Sequence, residues 1–147
     1  MLTENEWQAI NQMLLEIYSI RKVDELTERL MKMFRRMVPY TSGYFLMFDR
    51  DEKIDEKRSF FVDMPAEVRQ RYLQYYYNID YLNHVIDFAK EPSVYRDTDI
   101  LEDQDRHNTE FYTQFLCPQN IPFGSGIILY KNRMLKGIVN LFRSAEM

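Results

Sequence analysis

The chain has 147 residues, 46% of them hydrophobic and 29% charged, which suits one globular domain and leaves little room for two. No apolar run reaches the roughly 18 residues of a membrane span, and MLTENEWQ lacks the basic start and apolar stretch of a secretory leader, so a cytoplasmic protein without membrane contact is expected. A net charge of −4 argues against binding nucleic-acid backbones, and the single cysteine, Cys117, excludes a disulfide within the chain.

Thr3 and Glu6 fit a capping box, and Trp7, Ile10, Leu14 and Ile17 follow at helical spacing, so a first helix is predicted from about Glu4 to Ile20. A second starts near Asp24, carries Leu26, Leu30, Met33, Phe34 and Met37 on one side, and stops near Val38 because Pro39 follows. Tyr44–Phe48 is short, aromatic and apolar. The mixed charges of DRDEKIDEKR then read as a solvated loop before a second strand, Ser59–Val62.

Pro65 suits a first helical turn, and Val68, Tyr72 and Tyr76 lie four apart, which predicts a helix over about Pro65 to Tyr77. A short helix over Tyr81–Phe88, a brief strand at Ser93–Arg96 and a helix over Asp105–Phe115 follow. The last section is the clearest: Gly126–Tyr130 and Leu135–Phe142, separated by Lys131-Asn132-Arg133, read as an antiparallel hairpin. Together these elements predict an α+β domain with about five antiparallel strands and helices packed on the faces of the sheet.

Candidate chemistry is sparse. Asp103, Asp105 and His107 alternate in ILEDQDRHNTE and offer oxygen and imidazole ligands, but the simpler reading is a loop whose Asp105 caps a helix starting near His107. His84 has no partner at ligand spacing. Ser125 has glycines as immediate neighbours, not two residues away as a nucleophile elbow needs, and Cys117 has no recognisable histidine partner motif. No catalytic role, metal or cofactor is implied. Gly124 is expected to supply a backbone angle closed to other residues at the entrance to the hairpin.

The stretch RYLQYYYNIDYL (71–82) is the most informative. Tyr72 and Tyr76 are expected to point inward, either as core or as the wall of a ligand pocket, because such pockets are lined by aromatic rings with a few placed polar groups.

From there a resemblance emerges. MPAEVRQRYLQYYYNIDYLNHVIDFAKEPSVYR, followed by FYTQFLCPQNIPFGSGIILYKNRMLKGIVNLFR, is similar to the N-terminal GAF/PAS-like sensor domain of LuxR-type bacterial transcriptional regulators over about residues 40 to 143, and the two leading helices also fit. In quorum-sensing members a helix carries a Tyr, a Trp and a second Tyr that line an acyl-homoserine lactone pocket, and an Asp-Pro follows whose carboxylate takes the ligand amide. By register the resemblance places Met64 and Val68 at the first Tyr and the Trp, Tyr72 at the second Tyr and Asp80 at the Asp. It places Tyr95 near a further pocket Trp and Gly124 at a glycine before the hairpin.

The pocket it implies is lined by Met64, Val68, Tyr72, Tyr76, Asp80, Tyr95, Phe111, Phe115 and Gly124. Met64 and Val68 lack the donors that hold a lactone, and Tyr81 replaces the proline, which argues against an acyl-homoserine lactone and leaves another small molecule. The implied role is a single ligand-sensing domain, residues 1–147, acting as a homodimer with Trp7, Ile10 and Leu14 on its dimer surface. DNA is expected to be bound only by a helix-turn-helix module outside this sequence. The competing reading is a ligand-free interaction module whose tyrosine rings fill the pocket.

Overall fold

The computed structural model describes residues 1–85 and 90–146. Helix α1 (Glu4–Ser19) starts at the predicted capping box: the Glu6 N–H donates to Thr3 Oγ1 at 3.2 Å and the Thr3 N–H donates to the Glu6 carboxylate at 2.6 Å. Helix α2 (Leu26–Met37) ends at Val38, ahead of Pro39. Five strands follow, β1 (Ser42–Phe48), β2 (Ile54–Val62), β3 (Ser93–Arg96), β4 (Phe123–Lys131) and β5 (Met134–Arg143). They form one sheet in the order β2-β1-β5-β4-β3, with every neighbouring pair antiparallel.

Strand β2 begins at Ile54, well ahead of the predicted Ser59. Its charged half, Asp55–Arg58, is compatible with a strand because β2 is an edge, where charged side chains reach water and discourage further pairing. The β4–β5 turn is the two-residue Asn132-Arg133, both at positive φ (53° and 64°), the twist of a type I′ hairpin.

Period-two alternation divides the core. Tyr44, Leu46 and Phe48 of β1 and Ile138 and Phe142 of β5 line one face, while Phe45, Val139 and Leu141 line the other. The second face is covered by Leu30, Met31 and Phe34 of α2 together with Tyr40. α1 packs chiefly on α2, outside this layer, and none of its residues is buried. The first face is covered by helix α3 (Ala66–Gln74), two 3₁₀ turns (Tyr76–Ile79 and Tyr81–Val85) and a π-helical segment (Phe111–Leu116).

Three predicted helices are therefore shorter or differently wound. α3 stops at Gln74 because Tyr75, at φ −138° and ψ −59°, leaves the helical region and the chain continues as a 3₁₀ turn. Of the predicted helix Tyr81–Phe88, Tyr81–Val85 is a 3₁₀ turn and the rest lies outside the described residues. The predicted helix Asp105–Phe115 divides into a short helix, Asp103–His107, and the π-helical segment. Among the described residues no helix is long and apolar enough to cross a membrane.

Candidate functional site

The site lies between the sheet and the α3 layer. β1 directs Tyr44 inward, α3 directs Tyr72 toward it, and the turn between the two 3₁₀ segments brings Asp80 between them; the three are 0%, 0% and 1% exposed. Tyr44 Oη donates to Asp80 Oδ2 at 2.6 Å, Tyr72 Oη lies 2.8 Å from the same oxygen, and the two hydroxyls are 2.7 Å apart, so three oxygens form a nearly equilateral triangle. Asp80 Oδ1 accepts the Leu82 N–H at 2.9 Å. Both carboxylate oxygens are thereby satisfied without water, as a buried charged group requires.

The network continues across the sheet. Tyr44 faces Asn140 on β5, Asn140 faces Gly126 on β4, and Gly126 faces Tyr95 on β3, so one row crosses four strands. Tyr95 Oη donates to Asn140 Oδ1 at 2.7 Å, reaching over Gly126, and Asn140 Nδ2 donates to Tyr44 Oη. A Cβ on Gly126 would collide with Asn140 Oδ1 and with the Tyr95 phenol, which is why no side chain fits there. Asn140 is wholly buried and Tyr95 nearly so.

Burial dominates the electrostatics. It pushes the Asp80 carboxyl from 3.8 up to about 6, against the pull of the two tyrosine hydroxyls and the Leu82 N–H. Burial, with the Asp80 charge beside them, holds the Tyr44 and Tyr72 phenols well above their usual range, so both remain protonated donors.

Aromatic rings close the site. Tyr72 stacks obliquely on Tyr44 (centroids 4.8 Å apart) and on Phe115 (5.5 Å), and Phe111 and Phe115 are stacked at 5.2 Å. Tyr76, half-buried, rests on Phe115 at 4.9 Å. Met64 and Val68 are buried in the same cluster. The structure thus brings together Met64, Val68, Tyr72, Tyr76, Asp80, Tyr95, Phe111 and Phe115, with side chains packed against one another where a ligand was expected.

Gly124 differs from its expected role. None of the four glycines has positive φ. Its absent side chain instead lets Leu82 and Phe142 approach to 3.1 Å of the Cβ position, and its N–H donates to Asp97 Oδ2 at 2.9 Å. A surface cleft of about 230 Å³, lined also by Arg96, Asp97 and Ser125, reaches Gly124 from outside.

Beside the site lies a buried charge that sequence reasoning missed. Arg106, 1% exposed, places Nη2 3.0 Å from Asp103 Oδ1 and Nη1 3.9 Å from the buried Asp97, while its Nε and Nη1 make no hydrogen bond. Among the described residues the buried Tyr81 hydroxyl also has no hydrogen-bond partner. Asp103 is therefore committed to Arg106, and His107 stacks on Tyr112 at 4.5 Å. Asp105 sits inside the short helix and does not cap it. Among the described residues no three His, Cys, Asp or Glu side chains gather as a metal group. Ser125 is a strand residue paired with Arg96 and Leu141, Cys117 is exposed, and the side chain of His84 lies outside the described residues.

Tyr44, Asn140 and Gly126 were also missed. Their signal was present: Tyr44 and Asn140 interrupt otherwise apolar inward stripes, Leu46 and Phe48 on β1 and Ile138 and Phe142 on β5.

A five-stranded antiparallel sheet with a closed aromatic layer on one face and two helices on the other defines a GAF-like α+β fold. No family model matches the chain, and no curated protein matches it in sequence. Among solved structures it resembles the VqsR ligand-binding domain of Pseudomonas aeruginosa (TM-score 0.67, 13% identity, covering 97% of this chain and 81% of that one). It also resembles CepR2 of Burkholderia cenocepacia, an N-acylhomoserine lactone dependent LuxR-family transcription factor (0.66, 12%, 97% and 80%). The GAF domain of the cyanobacteriochrome TePixJ is similar too (0.58, 12%, 88% and 77%). At such identities the likeness establishes the fold.

Proposed function

We propose that this chain is the small-molecule-sensing, non-catalytic regulatory domain of a LuxR-type bacterial transcriptional regulator, working as a homodimer in the cytoplasm and reaching DNA through a separate helix-turn-helix module. The observation that carries this reading is Asp80, a fully buried carboxyl in an aromatic layer, raised to about 6 by the burial it endures. A purely structural core has no need of such a group, whereas a ligand site uses one to fix the orientation of a polar ligand in an apolar surrounding. In this reading Tyr44 and Tyr72 occupy Asp80 until a ligand N–H or O–H takes their place, and the ligand is a mostly apolar molecule with one donor. Met64 and Val68 offer nothing to a lactone ring, which disfavours an acyl-homoserine lactone.

A second reading has its own observation. The rings of Tyr44, Tyr72, Phe111 and Phe115 lie 4.8 to 5.5 Å from their neighbours, so the interior is filled by the protein itself, as in a closed module that only docks or dimerises.

Native mass spectrometry of the wild type and Asp80→Asn, as purified and after incubation with octanoylglycerol and N-octanoyl-homoserine lactone, separates the two. The sensing reading expects an added mass on the wild type that Asp80→Asn loses. Bare protein under every condition overturns it in favour of the closed module.

A further inference from the structure

Helix α1 carries two apolar stripes. Ile10, Met13 and Ile17, half-buried, lie toward α2, where the Glu16–Arg36 ion pair at 2.9 Å fastens the helix and where Met13 and Glu16 share a cleft with Met33 and Met37. The second stripe, Trp7, Asn11, Leu14 and Tyr18, follows a 4-3-4 spacing and faces away from the domain; Trp7, Leu14 and Tyr18 are 54%, 41% and 79% exposed, with Leu15 beside them at 66%. Among the described residues, six of the eleven exposed large apolar side chains fall within the first 18 positions. Such clustering marks an interaction surface, and 4-3-4 spacing is the seam of a two-helix coiled coil with Asn11 as its one polar layer.

The charges select the partner and its direction. Glu4 and Glu6 stand at the start of α1, and Arg21 and Lys22 follow its end. The seam's flanks, Gln8, Ile10, Leu15 and Ile17, are uncharged, so a second copy of the helix meets no repulsion along the side. A parallel copy would set Glu4 against Glu4 and align the two helix dipoles. An antiparallel copy, with the two-fold axis between Asn11 and Leu14, sets Trp7 opposite the partner's Tyr18, Asn11 opposite the partner's Leu14, and Glu4 opposite the partner's Arg21. Acid then meets base at both ends, and the dipoles oppose.

We propose that α1 pairs antiparallel with α1 of a second copy of this chain, about a two-fold axis between Asn11 and Leu14, through Trp7, Leu14 and Tyr18, with Leu15 at the flank. Ile10, expected on the dimer surface, serves the α1–α2 contact instead. This inference rests on the homodimer in the reading above and is independent of its ligand.

The test uses the whole chain. Sedimentation velocity across micromolar concentrations is expected to show a dimer, and Leu14→Asp is expected to weaken it about tenfold or more. Because α1 contributes no buried residue, that variant should keep the wild-type circular dichroism, and its unfolding midpoint should equal that of the wild type at concentrations where both are monomeric. Orientation is read on a Cys117→Ser background by mixing Glu4→Cys and Arg21→Cys chains under oxidising conditions, where the 4-to-21 crosslink should dominate. A monomeric wild type, a Leu14→Asp variant as dimeric as the wild type, or a dominant 4-to-4 crosslink each overturns the proposal. A monomeric wild type also removes the homodimer from the reading above, whereas the Leu14→Asp and crosslink results bear on α1 alone, and none of the three bears on whether Asp80 binds a ligand.

Discussion

The hydroxyl of Tyr44 lies 2.6 Å from Asp80 Oδ2, joining the second strand from the sheet's edge to a turn 36 residues further along the chain. Tyr72 shares the same oxygen, and Asn140 and Tyr95 extend the contact across the sheet, so a single carboxyl anchors groups from three strands and one helix. Loss of any member leaves a buried polar atom without its partner.

Asp80 should make stability fall as pH rises. Its carboxyl is pushed from 3.8 to about 6 in the folded chain, so the native state binds the proton more tightly than the unfolded state does. The stabilisation is complete below the unfolded value of 3.8 and is lost as pH climbs through about 6. The shift corresponds to a loss on the order of 2 to 3 kcal/mol. Urea denaturation of Asp80→Asn at a series of pH values should lack this decline; an equal slope in both proteins would rule out Asp80 as its source.

Gly126→Ala should be the most damaging glycine substitution in β4. Its Cβ meets Asn140 Oδ1 and the Tyr95 phenol, both fixed by the bond between them, and overpacking of this kind costs about 1 to 3 kcal/mol. Gly124→Ala meets only side-chain atoms, of Leu82 and Phe142, at 3.1 Å, and its loss should be smaller. Equilibrium unfolding of the two variants gives the order directly.

Arg106 and Tyr81 should respond in opposite ways. Arg106→Leu removes the buried positive charge beside Asp97, leaving only the exposed Arg96 near it among the described residues, and should lower stability by about 3 kcal/mol, although the Gly124 and Thr98 N–H groups still donate to Asp97. Tyr81→Phe removes a buried hydroxyl that finds no hydrogen-bond partner among the described residues, so stability should stay within about 0.5 kcal/mol of the wild type or rise. A large loss in Tyr81→Phe would show that the hydroxyl is held by a group such as a bound water.

Much of the fold is local and was therefore legible. The capping box at Thr3, the stop at Pro39, the brief strand Ser93–Arg96 and the hairpin at Lys131-Asn132-Arg133, of which Lys131 proves to be a strand residue, each depend on residues within a few positions of one another. What failed was also local chemistry overruled by tertiary packing. Tyr75 breaks a helix that spacing would continue, the charges of Asp55–Arg58 are tolerated at an edge, and Phe111–Leu116 winds as a π-helix with its two phenylalanines stacked. Within the site, the resemblance located Tyr72, Asp80 and Tyr95 but not Tyr44, Asn140 or Gly126. Those three join residues as far as 96 positions apart, and strand register, which no single segment reveals, brings them into one row.

Asp80 is a buried carboxyl held by Tyr44 and Tyr72, and its ionisation can be followed directly. A carbon-13 NMR titration of the aspartate side chains in wild type and Tyr44→Phe should show Asp80 titrating near 6 in the wild type and higher in the variant, because a donor that steadies its charged form is gone. An Asp80 midpoint near 3.8, unmoved by Tyr44→Phe, would contradict the buried triangle and the sensing site built on it.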